Sequence, residues 1–321
     1  MGTHLVPFRE LGSVEEGRQS PRPDHDSGVF PTPAIHAALM ALYDAKLVQW
    51  PVPFEELDVP TSHGTTHVVL SGPEDGESVI LIHMAACTSF IWAPIIAPFA
   101  SRYRTYAVDI IGDVNKSVLA DRGHRPRNGP ELGGWMCEVA DALNVPTSHV
   151  IAGSYGGWVA MHSAARAPGR VRRLALIVPM GLPGWTQTGR VLIRLATIQL
   201  GLSGAKLERT LSYLMGDDPA ARRLAGDWFS LLFESKCKMN AAQPLPIPLA
   251  MFHALPMPTL IVLGDRDPLI GNAQRAANRA RTHIRNAEVE IIANGTHAVH
   301  IEASHRVSTR VLEFLDQGGR T

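Results

Sequence analysis

Ser154 stands in the string Ala152-Gly153-Ser154-Tyr155-Gly156-Gly157. The β-branched pair Val150-Ile151 enters this string, and an amphipathic stretch of helical spacing leaves it. That context places Ser154 at a sharp turn from a strand into a helix. Small residues on both sides let the two backbones cross closely. The turn pushes the hydroxyl out above the sheet edge, near the positive end of the following helix. A Gly-Ser pair is also an ordinary turn, so the flanking elements carry the inference. A serine hydroxyl is a poor nucleophile near neutral pH. It needs a base to take its proton and an acid to orient that base. Both residue types follow later in the chain. The run Thr259–Gly264 ends in Asp265-Arg266-Asp267, and the run Glu288–Ile292 leads into a loop that carries His297. Asp267 is preferred to Asp265, although either would also cap the next helix. His300 is a rival base, but it falls in the following helix and is expected to point elsewhere. The chain has 14 histidines, so one loop histidine alone means little. What counts is three residue types in the order Ser, Asp, His, each just past the end of a core strand.

These side chains need a scaffold that gathers strand ends. Phe54–Val59 and Thr65–Leu70 read as two strands around a turn at residues 60–64. Val79–His83 is a continuous apolar run, as expected for a strand buried on both faces. Helix and strand then alternate: helix 90–101, strand Thr105–Asp109, helix Gly133–Leu143, strand His149–Ala152, helix Tyr155–Ala167, strand Arg173–Val178. After an interruption come strand Thr259–Gly264, helix Asn272–Thr282, strand Glu288–Ile292 and helix Val299–Asp316. Such alternation predicts a parallel sheet covered by helices. Before it, Ile35, Leu39, Leu42 and Leu47 recur at helical spacing and predict a helix over 34–50. Residues 1–30 are polar and read as a flexible arm. The core is expected over 31–180 and 254–321. The interruption at 181–253 has helical pieces at Val191–Leu202, Ala205–Met215 and Ala220–Ser235, and reads as a helical cap.

Composition excludes other chemistries. The chain has 321 residues, with 30 Lys+Arg against 30 Asp+Glu, and 45% of its residues are hydrophobic. A zero formal charge argues against a nucleic-acid partner, which selects a basic surplus. No apolar run reaches the roughly 18 residues of a membrane helix. The first residues show no basic segment followed by an apolar stretch, so no secretory signal is expected. Cys87, Cys137 and Cys237 are odd in number and far apart, so neither a disulfide framework nor a zinc site is expected. Metal and nucleotide motifs are missing as well. The expectation is a cytoplasmic enzyme with no cofactor or metal. Its partner is a small-molecule substrate, and a homodimer is allowed.

The sequence resembles the α/β-hydrolase superfamily from about residue 50 to 318. The stretches that carry the resemblance are Ile80–His83, Ala107–Asp109, Gly153–Gly157, Gly264–Asp267 and Gly295–His297. Tyr103–Ser117 is also similar to bacterial carboxylesterase-like members. The resemblance implies a mostly parallel eight-stranded sheet with a helical cap and a cofactor-free serine hydrolase mechanism. It also implies an oxyanion hole from the backbone N–H groups of Ala85 and Tyr155. Two departures stand out. Ala152 replaces the usual first glycine of Gly-x-Ser-x-Gly, where only a small side chain is needed. His83-Met84-Ala85-Ala86 replaces the usual His-Gly. Glycine accepts backbone angles that methionine does not, so Met84 is expected to reshape or narrow the hole.

The expected reaction is ester-type hydrolysis through an acyl-enzyme. Ser154 attacks, His297 moves the proton, and Asp267 orients His297. Because the base must be neutral, turnover should fall on acidification. Met84, Thr88, Trp185 and Trp228 are candidate substrate contacts, with Ser89 and the Tyr155 side chain as further polar candidates. The cap residues Leu192, Ile198, Leu214 and Phe229 serve the core or the pocket. A cap rich in Leu, Ile and Trp predicts an apolar acyl or alcohol group of small to medium size. A lactonase, a thioesterase or acyltransferase, an aminopeptidase, a biosynthetic cyclase, and a ligand-binding protein on the same scaffold are the alternatives.

Overall fold

The computed structural model describes residues 28–182, 204–238 and 242–317. Helix α1 (Pro33–Leu47) opens on Thr32, whose side chain accepts the Ile35 N–H, and it buries Leu39, Tyr43 and Leu47 at four-residue intervals. Strands β1 (Phe54–Thr61) and β2 (Gly64–Ser71) form an antiparallel hairpin. Then follow β3 (Glu77–Ile82), α2 (Ala93–Ala100), β4 (Tyr103–Val108), β5 (Val118–Leu119) and α3 (Gly129–Ala142). The centre of the chain holds β6 (Ser148–Gly153), α4 (Ser154–Arg166) and β7 (Val171–Ile177). Helices α5 (Gly204–Met215), α6 (Pro219–Glu234) and α7 (Leu249–His253) occupy the described part of the interruption. The chain closes with β8 (Thr259–Gly264), α8 (Ala273–His283), β9 (Ala287–Ile292), α9 (Val299–Glu302) and α10 (Ser304–Asp316).

The sheet order is β1-β2-β4-β3-β6-β7-β8-β9, with the two-residue β5 paired to β2. The first two pairings along this order are antiparallel and the remaining five are parallel. Central strands read as continuous apolar runs because both faces are covered. In β3, Val79 and Leu81 join one core, and Ile80 and Ile82 join the other. From β3 the chain runs outward to β4 and later returns to place β6 on the opposite side of β3. Open parallel sheets bind ligands at such a switch point, beyond the carboxyl ends of the strands. Ile82 pairs in register with Ala152, so the residues that follow these two strands emerge side by side.

Three expectations need adjustment. The sheet gains β5, a strand too short to leave a periodic signal. The helix expected over 299–316 is split at Ala303, whose backbone (φ −125°, ψ 40°) leaves the helical region. At the end of the expected arm, Val29 is buried and its carbonyl accepts the Lys238 N–H, while Phe30 packs on the same core. The rest of the arm, residues 1–27, the expected helix Val191–Leu202 and Trp185 lie outside the described residues. Among the described residues no helix is long and apolar enough to cross a membrane.

Candidate active site

Ser154 is the first residue of α4 and holds φ at +45°, a left-handed value that non-glycine residues rarely adopt. The strain persists because the start of α4 passes tightly over the end of β3. A Cβ at Gly156 would lie 2.3 Å from the Ile82 carbonyl oxygen, so only glycine fits there. On the far side, the Ser154 carbonyl accepts the Met180 N–H at 3.0 Å.

His297 Nε2 lies 2.8 Å from Ser154 Oγ, and His297 Nδ1 lies 2.7 Å from Asp267 Oδ2. An ionised carboxylate only accepts hydrogen bonds. The Nδ1–H must therefore donate to Asp267, which leaves Nε2 as the lone-pair nitrogen facing the serine hydroxyl. Asp267 is buried, and its second oxygen accepts the Leu269 N–H at 2.8 Å and the Ile270 N–H at 3.4 Å. All lone pairs used are on one fixed carboxylate, so the imidazole orientation is set before any ligand arrives. The three residues singled out from the sequence thus form one continuous relay. Asp265 is not part of it.

The loop of His297 is itself held at several points. The His297 N–H reaches the Leu214 carbonyl of α5 at 3.2 Å. Glu302 accepts the Thr296 N–H at 2.8 Å and the Thr296 hydroxyl at 2.7 Å. The Thr296 oxygen in turn accepts the Ala298 N–H at 3.2 Å. Glu302 was not singled out from the sequence. Its spacing from Thr296 across a loop is not a helix-capping pattern, and no local signal marks it.

After β3, the segment Met84–Thr88 crosses the mouth of the sheet. The left-handed residue here is Ala86 (φ +61°), not Met84. Met84 therefore carries no backbone conflict, so its replacement of glycine acts through its side chain alone. Its side chain lies where a Cβ on Gly153 would stand, with the methyl carbon only 2.4 Å from that position. The Ala86 N–H donates to Asp113 Oδ2 at 2.9 Å, and the Cys87 N–H donates to the Met84 carbonyl at 3.2 Å. Those two amides are engaged, and Met84, Ala85, Ala86 and Cys87 all line the pocket with Ser154. Tyr155 is the second residue of α4, so its N–H has no partner within the helix.

Buried carboxylates anchor this loop. Asp109 accepts the Ser89 N–H at 2.9 Å, the Ser89 hydroxyl at 2.8 Å and the Tyr43 hydroxyl at 3.2 Å. Asp113 also accepts the Val114 N–H at 2.7 Å. Burial pushes the Asp113 carboxyl above the ordinary carboxylate range, against the pull of those N–H groups. His83 takes its tautomer from its contacts. Its Nε2 accepts the Ile110 N–H at 2.9 Å, so Nδ1 carries the proton and donates to the Met84 carbonyl at 2.7 Å.

Four polar or aromatic candidates for substrate contact are placed elsewhere. Thr88 is fully buried, and its hydroxyl oxygen accepts the Phe90 N–H at 3.4 Å as a cap. Ser89 is bound to Asp109. The Tyr155 hydroxyl donates to the Ala242 carbonyl at 2.8 Å, away from the pocket. Trp228 is fully buried, and its indole N–H donates to the Ala86 carbonyl at 2.8 Å. Its ring packs edge-on against Phe90 and Tyr43. It therefore holds the Met84–Thr88 segment rather than the space above it. The pocket takes its aromatic wall from the next residue, Phe229, which alternation along α6 alone does not reveal.

The cavity above Ser154 holds about 130 Å³. Met84, Ala85, Met180 and Leu269 line it from the strand ends, while Leu211, Leu214, Phe229 and Phe233 line it from α5 and α6. His300, expected to point elsewhere, also lines it. It makes no hydrogen bond to Ser154 or Asp267, but it shares the cavity with Ser154 and His297. The Cys87 thiol reaches the wall too, and burial pushes its pKa up, so it is not a thiolate. Among the described residues no group of three or more His, Cys, Asp or Glu is arranged to hold a metal ion.

Comparison with known proteins agrees with this architecture. Residues 79–310 match the model of the alpha/beta hydrolase family. Carboxylesterase YbfK of Bacillus subtilis is 32% identical over 86% of this chain and 93% of its own length. A second B. subtilis protein, described as uncharacterized carboxylesterase nap, is 31% identical over 85% of this chain and 91% of its own. The crystal structure of naproxen esterase (carboxylesterase NP) from B. subtilis superposes with a TM-score of 0.77 at 27% identity, covering 88% of this chain and 99% of that one. A strand-end serine, its imidazole partner, a switch-point sheet and these likenesses converge, and the chain belongs to the alpha/beta hydrolase family.

Proposed function

We propose that the protein is a carboxylesterase that hydrolyses esters of small to medium apolar substrates through a Ser154 acyl-enzyme. The observation that carries this reading is the unbroken hydrogen-bonded path from Asp267 through His297 to Ser154, opening onto an apolar cavity. The carboxylesterase likenesses, 31–32% identical over most of the chain, support the ester as the bond attacked.

In this mechanism the ester carbonyl enters above Ser154. Oγ attacks the carbonyl carbon as its proton passes to His297 Nε2. The buried Asp267 carboxylate stabilises the imidazolium that results and keeps the productive tautomer. The negative charge that develops on the carbonyl oxygen is met by the N–H groups of Ala85 and Tyr155, and the positive end of α4 adds to the field. His297 then returns the proton to the departing alcohol. A water molecule, activated by the same imidazole, hydrolyses the acyl-enzyme. The cavity's apolar wall favours hydrocarbon acyl or alcohol groups, since each buried methylene contributes about 0.8 kcal/mol.

The test is a series of p-nitrophenyl esters of increasing acyl length, assayed with the wild type and Ser154→Ala. The reading predicts turnover that rises with chain length to an optimum and then falls, and none above background for the variant. No turnover at any length, or equal turnover by the variant, would remove the reading.

A further inference from the structure

His300 is a pocket-lining imidazole to which the mechanism gives no task. Its ring is 2% exposed, yet neither ring nitrogen has a hydrogen-bond partner among the described residues. Burying an unpartnered polar group is costly, on the order of 1–3 kcal/mol, so a folded chain rarely keeps one without use. The ring is not loose. Trp92 packs against it with centroids 5.9 Å apart, and its helix begins two residues after His297. Any group that His300 binds therefore sits at a fixed separation from the relay. The wall around it is hydrocarbon: Ile91, Leu211, Met215 and Ile301 line the same cavity.

We propose that His300 is a specificity-determining residue that hydrogen-bonds a neutral oxygen, in an ether, ketone or hydroxyl, borne by an otherwise hydrocarbon ester. The inference rests on the esterase reading above and adds a chemical feature of the substrate to it. The required partner is neutral because the ring is neutral. Burial, aided by the neighbouring His297, holds its pKa down at about 3. A neutral imidazole offers one donor and one acceptor, which an uncharged oxygen function satisfies. A carboxylate or ammonium placed there would be a buried charge without a counter-ion.

The experiment uses two matched ester series built on an unbranched six-carbon chain. In one, the acyl chain of a p-nitrophenyl ester has its methylenes replaced by oxygen, one position at a time and only beyond the two carbons nearest the ester group. In the other, the same replacements are made in the alcohol of a hexanoate ester. Wild type is expected to favour one oxygen position over its neighbours by about tenfold in kcat/KM, the size of one neutral hydrogen bond. His300→Leu should lose that preference while still cleaving the all-carbon ester within about threefold, and His300→Gln should recover part of it. A flat wild-type profile in both series overturns the proposal without any variant. So does a preference that survives in His300→Leu. If the all-carbon ester itself is not cleaved by wild type, the esterase reading fails first and this inference falls with it.

Discussion

The floor and the roof of the pocket are built on different physical terms. The floor consists of strand ends: the Met84–Ala86 segment after β3, Ser154 after β6, Asp267 after β8 and His297 after β9. Its positions are set by sheet register, one strained backbone angle at Ser154 and short hydrogen bonds to buried acceptors. The roof is two helices, α5 and α6, that offer Leu211, Leu214, Phe229 and Phe233 to the cavity. Those side chains are set by packing and carry no chemistry. Among the described residues, the Leu214 carbonyl under the His297 N–H and the Ala86 carbonyl under the Trp228 indole join the two regions. The difference teaches that rate is expected to reside in the floor and selectivity in the roof, with Trp228 and His300 as the exceptions.

Substitutions test that division, and the largest effect belongs to the floor. Ser154→Ala should lower kcat by about 10⁴–10⁶, with an unchanged thermal midpoint, as steady-state assays and calorimetry will report. The next effect is on stability. His300 has its folded pKa lowered to about 3, so below the unfolded-state value of about 6.5 the unfolded chain takes up a proton that the folded one refuses. Its contribution is neutral above that pH and turns against folding as pH falls. By pH 4.5 the cost should reach about 2–3 kcal/mol, and His300→Leu should flatten this acid limb in urea titrations. Trp228→Phe keeps the packing but drops the bond to Ala86. It should reduce kcat about tenfold for every ester alike, with chain-length preference unchanged, because one hydrogen bond fixing the loop is lost. If Trp228→Phe instead shifts the preference, the floor and roof are not separable. Smallest is Leu214→Ala. It should move the optimum toward longer acyl chains by one or two carbons with a few-fold change in kcat, read from the same ester series.

The same division governs what the sequence reveals. Floor residues are legible because each follows a buried strand run, and strand ends are where a parallel sheet gathers its groups. Ser154, Asp267 and His297 needed only that rule and the order of the chain. The chain direction in β3, β4 and β6 likewise followed from alternation. What stayed hidden depends on contacts between distant segments. Trp228 and Thr88 have the residue types of ligand contacts, but the first is turned onto the Ala86 carbonyl and the second caps its own turn. Asp113 and Glu302 act on loop amides 27 and 6 residues away, with no periodic pattern to mark them. The strained angle fell on Ala86 because that is where Asp113 and Trp228 grip the backbone, on its N–H and its carbonyl. His300 is expected to point elsewhere because it falls in the helix that follows the His297 loop, but that helix begins only two residues past His297, and His300 lines the same cavity.

The relay is tested most directly by covalent capture. Wild-type protein treated with a fluorophosphonate should gain one phosphonyl group, mapped by peptide mass spectrometry to Ser154. Labelling should be abolished in Ser154→Ala and slowed by orders of magnitude in His297→Ala. An unmodified Ser154 in catalytically competent protein, or an adduct mapped to a different serine, would contradict the account.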